Sequence, residues 1–464
     1  MGARVYSGAA TPTTITSSIT NVSTSVTIAS ATNWLTSGQF SVVIDPGLAG
    51  EEKCLATLSG TTLTFITRGY DNTTAASHNS GAVIYPVPTA IDFSEANTHV
   101  NASSAVHGVA GTIVGTTDTQ TLTNKDLTDS TNKINWSNFA GKNAIINGGM
   151  DIWQRGTSIA LAASTSAYTA DRFYVTTGAN QASVISRQAT SDTTNLPNIQ
   201  YALRYQRNSG QTGTAAMSLS QSLESVNSIP FAGKQVTLSY YARAGANYSA
   251  TSNALVVYLF SGTGTDQNRG SSPYTGDATT ASATATLTTT WQRFSVTGTV
   301  ASTATELGLY ISFTPTGTAG ANDYFDITGV QLELGSTATT FSRAGGSYGG
   351  ELALCQRYYY RDTATSNLSS VANMGTATAT TSVLVAMPLK VSMRTVPTVI
   401  EYSGLSVSPD NGGTTFSISS GTISVATPEM VTINLSGATG LTQYRPYYAI
   451  APTAGGYLAV GAEL

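Results

Sequence analysis

Residues 143–156, with the sequence NAIINGGMDIWQRG, decide the fold of the longest part of this chain. An apolar pair leads into an Asn-Gly-Gly turn, and a second apolar run ends at Gly156, which is the pattern of a strand, a turn and a strand. A matching stretch occurs at 324–335 (YFDITGVQLELG), where Gly329 separates two short runs of alternating apolar residues. We interpret the two stretches as the first and last strands of one large β domain.

The composition of the 464-residue chain favours an all-β fold. Charged residues make up 10% of it, against about 25% in ordinary soluble domains, and hydrophobic residues make up 41%, enough for a core. The polar remainder is mostly Thr, Ser, Asn and Gly, and threonine suits a half-exposed pleated surface better than a helix. At about 150 residues a domain, the length predicts about three domains.

The charge and the apolar pattern exclude two classes of partner. The net charge of −4 provides no basic surface for nucleic acid. The longest apolar run, 254–260, is too short to span a bilayer, so membrane insertion is not expected. The first residues lack the apolar run of a secretory leader. Cys54 and Cys355 are too few and too distant for a disulfide framework, which fits synthesis in a reducing cytoplasm.

Four regions follow from the distribution of apolar residues. Residues 1–100 are predicted to form a small β domain, and residues 101–142 a thin connector rich in Thr, Ser and Asn. Residues 143–346 carry regularly spaced period-two runs, which predict a β-sandwich. Residues 347–464 are predicted to form a C-terminal β domain that begins with a short helix at 351–359.

The connector has too few apolar residues to bury a core by itself. Its apolar residues are Val106, Val109, Ile113, Val114, Leu122, Leu127 and Ile134. The entropy lost on ordering this segment would exceed the gain from burying so few side chains. It is therefore either a flexible linker or a segment that winds with identical neighbours around a shared apolar axis. We favour the shared axis, and hence a homotrimer.

Four ordered blocks resemble a module of tailed-bacteriophage tail fibres and receptor-binding proteins. They are NAIINGGMDIWQRGTS at 143–158, YTADRF at 168–173, FDITGVQLELGSTATTF at 325–341 and ELALCQRYYY at 351–360. The connector is similar to the shafts of phage fibres, and the opening and closing blocks resemble jelly-roll carbohydrate-binding modules. The resemblance implies a trimeric all-β fibre with a virion-attachment domain (1–100), a central jelly-roll domain (143–346) and a host-facing C-terminal β-sandwich (347–464).

The resemblance also implies a function in attachment. We expect a virion protein, made in the host cytoplasm, that binds a host surface glycan or lipopolysaccharide and contacts another tail or adaptor protein through its N-terminal domain. The alternatives are a polysaccharide depolymerase, a structural fibre whose adhesive partner is another chain, and a secreted lectin-like protein. The missing leader weighs against the lectin-like protein, and the missing repeat period weighs against the usual depolymerase.

The sequence shows no convincing catalytic constellation, so we expect no enzyme. The three histidines have no metal-ligand spacing, and we interpret them as loop or interface residues. A glycan-cleaving enzyme needs two carboxyl groups that flank the glycosidic bond. Asp266 with Asp277, or Asp323 with Asp326, are candidate pairs, but nothing in the pattern places either pair around a groove.

A structural calcium ion is the one cofactor that the resemblance suggests, and no cofactor is required. Jelly-roll carbohydrate-binding modules often hold calcium where the first and last strands meet. Asp151 and Asp326 occupy the matching places, and carboxylates are suitable calcium ligands. The alternative is that both carboxylates cap turns without an ion. In the same blocks, we interpret Trp153 as a core residue and Arg172 as internally paired.

One candidate glycan site is the loop at 261–277 (SGTGTDQNRGSSPYTGD), which interrupts the strand pattern. It contains Asp266, Asn268 and Arg269, whose planar polar side chains are of the types that bind sugars. Tyr274 would add an aromatic platform. The alternative is an ordinary solvated loop.

The second candidate glycan site is the YRPYY run near the C-terminus. Tyr444, Arg445, Tyr447 and Tyr448 would offer aromatic rings and a guanidinium group at the end of the fibre that faces the host. Packing of these tyrosines in a core or in a trimer is the alternative.

The connector generates a prediction about assembly. Because its apolar residues can only be buried between copies, we expect the purified chain to be a homotrimer. Light scattering would measure the mass in solution, and a monomer at micromolar concentration would contradict the shared axis.

Overall fold

A computed structural model describes residues 4–101, 141–410 and 413–464. The chain divides into two compact units, Met1–Lys125 and Asp126–Leu464. Strands account for 42% and helices for 7% of the structure, so the predicted all-β class is confirmed. The connector that we predicted to wind around a shared apolar axis lies outside the described residues, and so does His107 within it. None of the helices in the described ranges is both long enough and apolar enough to cross a membrane.

The first unit is built on one six-stranded antiparallel sheet. Its strands are β1 Thr13–Thr14, β2 Ser25–Thr27, β3 Phe40–Ile44, β4 Glu52–Ser59, β5 Thr62–Tyr70 and β6 Val83–Pro86. Their order in the sheet is β1-β6-β3-β4-β5-β2. Helix α1, Ala90–Asn101, follows the sheet. Phe40, Val42 and Ile44 of β3 lie in the core of this unit.

A single buried carboxylate holds the polar loop that follows β5. Glu52, fully buried at the start of β4, accepts hydrogen bonds from Arg68 Nε and Nη2, both at 2.6 Å. It also accepts from the backbone N–H groups of Gly69 at 2.8 Å and Ala76 at 3.0 Å. His78 Nε2 lies 3.0 Å from the same carboxylate. The loop is therefore folded around one negative charge.

The second unit contains the β-sandwich that the alternating runs predict. Its strands are β7 Ser158–Leu161, β8 Ser166–Tyr168, β9 Tyr174–Thr176, β10 Ser183–Ala189, β11 Tyr201–Arg207, β12 Met217–Ser222, β13 Gln235–Ala244, β14 Ala254–Gly262, β15 Ala278–Thr286, β16 Gln292–Thr299, β17 Glu306–Phe313 and β18 Tyr324–Leu334. Helix α2, Ser225–Ser228, and the 3₁₀ turns Ile229–Phe231 and Thr251–Asn253 lie between strands.

Two six-stranded sheets form the sandwich. The first sheet has the order β16-β13-β18-β11-β10-β7 and the second has the order β15-β14-β17-β12-β9-β8. From β11 to β18 the chain crosses repeatedly between the sheets, as it does in a jelly roll. Val236, Leu238 and Tyr240 of the first sheet share one core with Leu255 and Val257 of the second.

The predicted closing strand is confirmed as β18, and Gly329 interrupts its register. The pairing of β18 with β13 shifts between Thr328 and Gln331, and Gly329 has a φ of +58°, a conformation that glycine adopts without strain. Val330 on the far side of the shift is fully buried in the sandwich core. Leu334, the last apolar residue of the alternating run, is 53% exposed at the end of the strand.

The prediction of two strands at 143–156 is wrong. The segment consists of turns and irregular backbone, yet most of it is buried. Two asparagine side chains supply the hydrogen bonds that a neighbouring strand would supply. Asn143 Nδ2 donates to Val330 O at 2.9 Å, and its Oδ1 accepts from the backbone N–H of Leu332 at 3.1 Å. Asn147, at a φ of +60°, bonds Ile152 through both the N–H and the carbonyl of that residue.

The C-terminal region is also β-rich. It comprises α3 Tyr348–Gln356, β19 Tyr359–Thr363, β20 Ser369–Ser370, β21 Gly375–Ala379, β22 Ser382–Pro388, β23 Val399–Ser403, β24 Ser406–Ser408, β25 Phe416–Ser417, β26 Ser420–Ala426, β27 Met430–Ser436, β28 Pro446–Ala451 and β29 Tyr457–Gly461. One sheet has the order β19-β29-β23. The other has the order β25-β24-β28-β21-β22-β27-β26, with β20 paired to β28.

Ion pairs join the C-terminal region to the sandwich within one compact unit. Glu224 accepts two hydrogen bonds of 2.9 Å from Arg357. Buried Arg172 pairs with Glu463 and donates to Ser222 O at 2.8 Å, which confirms its internal pairing. These ion pairs join residues of 143–346 to residues of 347–464, and both ranges lie within the unit Asp126–Leu464, while the division into separate domains stays a prediction.

Glu52 generates a prediction about pH. Burial opposes its ionisation, but hydrogen bonds from Arg68 and from the backbone of Ala76 and Gly69 outweigh burial and lower its pKa from 4.5 to about 2. Because the pKa is lowered on folding, the ionised group stabilises the first unit above pH 4.5, and this stability is lost as the pH falls towards about 2.

We expect Glu52→Gln to destabilise the first unit by about 3–5 kcal/mol at neutral pH, since it removes the carboxylate that pairs with the half-buried guanidinium of Arg68. The stability of the first unit should also depend less on pH between 4.5 and about 2 in the variant, because this carboxyl group no longer titrates. Hydrogen exchange of peptides from β4 and β5 in the full chain would measure both effects. The neighbouring Glu51→Gln, at a half-exposed position, is the control. Equal protection in both variants would contradict the role of Glu52.

Asn147 generates a prediction about the second unit. Its side chain satisfies the N–H and carbonyl of Ile152 and the carbonyl of Asp171, and all three residues are buried. We expect Asn147→Ala to cost about 2–6 kcal/mol, because the Ile152 N–H and the Asp171 carbonyl lose their partner, while the Ile152 carbonyl keeps the bond from the Asp171 N–H at 3.2 Å. Denaturant unfolding of the full chain would measure this loss. Asn195→Ala, at an exposed position that bonds Asp192, should change stability by at most about 0.5 kcal/mol.

Candidate functional site

The loop between β14 and β15 is held in place by its own charged side chains. Asp266 accepts a hydrogen bond from the Ser225 backbone N–H at 2.8 Å and lies 3.2 Å from Arg394 Nη1. Arg269 pairs with Asp277 at 2.7 Å and stacks 4.1 Å above the Phe260 ring. Asp266 and Arg269, which the sequence suggested as ligands of a glycan, are thus committed to contacts within the protein.

The expected exposure of Tyr274 is wrong. Its ring is 4% exposed, and its hydroxyl donates to Ser222 Oγ at 2.9 Å beneath the loop. Burial raises the pKa of this hydroxyl above its ordinary value of 10.0. A ring that is packed inside the protein cannot present a face to a sugar, so Tyr274 is a core residue of the loop.

Asn268 is the one of the four loop candidates that lines an open pocket. Its Nδ2 donates to the Tyr168 hydroxyl at 3.1 Å, and that hydroxyl lies 3.1 Å from Leu464 O. Tyr168 and Tyr174 face each other across the β8–β9 hairpin, with ring centroids 5.0 Å apart and ring planes at 65°. Both tyrosines are half-buried.

Two adjoining pockets meet at this tyrosine pair, and we call them together the junction groove. The first pocket has a volume of about 390 Å³ and is lined by Tyr168, Tyr174, Gln267, Asn268, Ser271, Ser272, Pro273 and Leu464. The second, of about 540 Å³, is lined by Arg155, Ile159, Ser166, Ala167, Tyr168, Tyr174, Thr398, Val399, Glu401, Gly461, Glu463 and Leu464. Residues 158–174 and 267–273 of the sandwich thus share the junction groove with the C-terminal region.

The second pocket also contains charged groups. Glu463 lies 3.3 Å from Arg155 Nη1 and pairs with Arg172 as well. The Arg155 guanidinium stacks 3.5 Å above the Tyr359 ring, whose hydroxyl donates to Glu401 at 2.7 Å. Burial, and next the hydrogen bond to Glu401, raise the pKa of Tyr359 above its ordinary value of 10.0. Chemically, the groove offers aromatic rings, hydroxyls, one carboxylate that bonds a tyrosine, and two amides. Each amide also bonds within the protein through its oxygen and its nitrogen, Gln267 to Thr275 and Asn268 to Gly270 and Tyr168.

The C-terminal tyrosines divide between the surface and the core. Tyr444 is 77% exposed, and Arg445 is exposed beside it. Tyr447 is 1% exposed, accepts a hydrogen bond from the Thr442 N–H at 2.9 Å and packs edge-on to a phenylalanine, so its expected exposure is wrong. Tyr448 is half-buried. This run is separate from the lining residues of the junction groove.

The two proposed calcium ligands are paired with arginines. Asp326, fully buried on β18, bonds Arg204 at 2.7 and 3.0 Å and Arg243 at 2.8 Å. Asp151 bonds Arg343 at 2.7 Å. Within the described ranges, no three His, Cys, Asp or Glu side chains form a group that could hold a metal ion. Guanidinium groups thus take the positions that we proposed for a cation.

The carboxylate pairs that a depolymerase could use are not arranged around a groove. Asp323 is fully buried, 2.7 Å from Arg207 Nη1 and 2.8 Å from Ser249 Oγ. Its proposed partner Asp326 has the arginine contacts described above.

His78 is buried, with ring nitrogens 2.8 Å from Asp45 and 3.0 Å from Glu52.

The sequence analysis missed Tyr168 and Tyr174 as site residues. They flank Asp171-Arg172-Phe173, which are buried, and the short strands on either side bring the two rings onto one face of the hairpin. Two tyrosines at similar distances on either side of a short turn are expected to lie opposite each other in a hairpin. The sequence therefore contained a signal for this pair. Trp153, by contrast, is confirmed in the sandwich core, where its Nε1 donates to Met150 O at 2.9 Å.

No family model matches the chain, and no curated protein matches it. Several solved structures are similar over part of the chain. A CBM4 structure is 19% identical over 29% of this chain and 71% of that chain, with a TM-score of 0.21. TmCBM61 in complex with β-1,4-galactotriose is 13% identical over 42% and 99%, with a TM-score of 0.24. The enzymatically active domain of Bacteriophage CBA120 tailspike protein 4 is 11% identical over 42% and 21%, with a TM-score of 0.25. Similarities with TM-scores this low do not indicate a function for this chain.

Proposed function

We propose that this chain is a virion fibre protein of a tailed phage that binds a host surface glycan or lipopolysaccharide in the junction groove. The observation that carries the proposal is the pairing of Tyr168 and Tyr174 with the amides of Gln267 and Asn268 in one open pocket. Binding is the whole of the activity, with no covalent chemistry.

The lining of the first pocket matches the chemistry of sugars. A sugar ring presents apolar C–H faces and a rim of hydroxyl groups. Aromatic rings cover the apolar faces, and amide and hydroxyl side chains both donate and accept hydrogen bonds to the rim. The side chains that line this pocket are all uncharged.

Assembly would supply the strength of attachment. A single open pocket of this kind binds weakly, because much of a ligand in it stays in contact with water. In the proposed homotrimer three copies of the groove act together, and several trimers on one particle raise the effective concentration further. The first unit would attach the fibre to another virion protein, which leaves the second unit to face the host.

Two other functions remain as alternatives to adhesion through this chain. A polysaccharide depolymerase is one, since Glu401 and Glu463 line the same pocket and two carboxyl groups are the minimum for glycoside hydrolysis. A structural fibre whose adhesive partner is another chain is the other. Each alternative predicts a result of the binding experiment that differs from the result expected for adhesion.

The test is binding of the full chain to an array of bacterial O-antigen and capsular oligosaccharides, followed by titration with a bound glycan. We expect Tyr174→Ala to weaken binding about tenfold, through loss of an aromatic contact in the pocket. The control is Tyr348→Ala, which removes a tyrosine that is 57% exposed on α3 and does not line the groove. Thermal unfolding should show that both variants stay folded.

Three results would contradict the proposal in different ways. Binding to no glycan would favour a structural fibre. Release of reducing ends from a bound polysaccharide, abolished by Glu401→Gln, would favour a depolymerase. Weaker binding after Tyr444→Ala, with Tyr174→Ala unaffected, would move the site to the C-terminal tyrosines.

A further inference from the structure

Glu306 is a buried carboxyl group directly beneath the loop that lines the junction groove. It is the first residue of β17 and is paired in register with Gly262, the last residue of β14. The side chain is fully buried, and its Oε1 accepts a hydrogen bond of 2.6 Å from the Gln267 backbone N–H. Gln267 and its neighbour Asn268 both line the first pocket.

The second oxygen of this carboxyl group is the unusual feature. Among the described residues, Glu306 Oε2 is a buried side-chain atom without a hydrogen-bond partner. No Lys, Arg or His side chain of the described part of the chain lies within 4.0 Å of this carboxyl group, whereas Asp266 and Asp277 in the same loop are each paired with an arginine. An ionised carboxylate in this position would leave a negatively charged oxygen buried and unpaired, which is costly.

The loop is packed tightly onto this oxygen. A Cβ atom at Gly264 would lie 2.7 Å from Glu306 Oε2, and one at Gly262 would lie 3.0 Å from it. The glycines thus let the backbone approach the carboxyl group, and the Thr305 hydroxyl donates to Gly264 O at 2.6 Å beside it. The loop is packed too tightly to bring another polar group to this oxygen. It must move away before water can reach the oxygen.

The titratable groups around Glu306 favour its neutral form. Burial raises the pKa of Glu306 above its ordinary value of 4.5, and the carboxylate of Asp266 acts in the same direction. The Gln267 N–H, which donates to Oε1, and the nearby Gly264 N–H, which makes no well-aligned hydrogen bond to the carboxyl group, oppose the increase. Tyr274 also packs near the carboxyl group, and burial keeps its phenol neutral.

We propose that Glu306 is a positioning residue that makes the junction groove sensitive to pH. In its neutral form it holds residues 263–277 against the sandwich, so that Gln267 and Asn268 line the pocket. Ionisation introduces an unpaired buried charge next to Asp266, and the loop loosens to admit water. The glycan-binding part of the proposal rests on the proposed function, whereas the loosening of the loop does not.

The sign of the effect follows from the direction of the pKa change. A pKa raised on folding means that the closed loop is favoured by protonation. The stabilisation is therefore complete at pH values below the ordinary 4.5 and is lost as the pH rises through the higher value in the folded protein. Glycan affinity should fall over the same range.

The first experiment measures the loop without any ligand. Hydrogen exchange of peptides from 263–277, corrected for the intrinsic exchange rate, is followed in the full chain between about pH 5 and about pH 8. We expect protection in the wild type to fall about threefold or more across this range. Glu306→Gln keeps the shape and the Gln267 contact but cannot ionise, so its protection should be independent of pH.

The matched control is Asp362→Asn. Asp362 is a half-buried carboxyl group on β19 whose pKa is also raised by burial, and it does not line the junction groove. This variant should keep the pH profile of the wild type.

Asp266→Asn removes the neighbouring charge and should move the loss of loop protection to lower pH. This variant tests the role of Glu306 even if Glu306→Gln fails to fold.

The second experiment repeats the comparison with a glycan found on the array. Affinity should fall about threefold or more with rising pH in the wild type and stay level in Glu306→Gln. A wild-type loop whose protection does not depend on pH, or a profile levelled equally by Asp362→Asn, would overturn the role of Glu306. Absence of any glycan ligand would instead contradict the proposed function, because the exchange experiment does not depend on it.

Discussion

The second unit depends on the side-chain amides of Asn143 and Asn147. A buried backbone group that loses water must find another hydrogen-bond partner. Segment 143–152 is not a strand, and its backbone bonds to β18, from Ala144 N to Leu332 O and from Val330 N to Gly148 O, satisfy only part of it. Asn143 fixes the segment to β18, and Asn147 folds it back on itself, while the Asn147 N–H bonds Glu351 of α3. Through these contacts one irregular segment connects the last strand of the sandwich to the first helix of the C-terminal region.

The junction groove is a consequence of that connection. Because the C-terminal region is held against the sandwich, the β8–β9 hairpin and the β14–β15 loop face the end of β29 across a narrow gap. Ion pairs such as Arg172 with Glu463 and Arg357 with Glu224 fix the two sides further. These pairs are largely buried, so each charge depends on its partner, and the loss of one partner would destabilise the junction.

The scarcity of charge determines which residues are left for recognition. Only 10% of the residues are charged, and in the second unit most of the carboxylates proposed as ligands are paired with arginines inside the fold. Asp151, Asp266 and Asp326 thus stabilise the structure and are not free to bind. Uncharged side chains, namely Tyr168, Tyr174 and Asn268, remain to line the open surface. Glu306 differs from them, because no cationic side chain in the described ranges pairs with its buried carboxyl group.

The sequence by itself determined the strand content, the core residues of the sandwich, the closing strand β18 and the core position of Trp153. These follow from local periodicity and residue size, which a linear pattern records directly. The tertiary structure alone decided that 143–156 is irregular, that Tyr274 and Tyr447 are buried, and that arginines take the places proposed for calcium. Each of these depends on partners far along the chain, such as Asn143 with Val330 or Asp151 with Arg343. Local patterns carry no information about such contacts, because the free energy that selects them comes from groups that only the folded chain brings together.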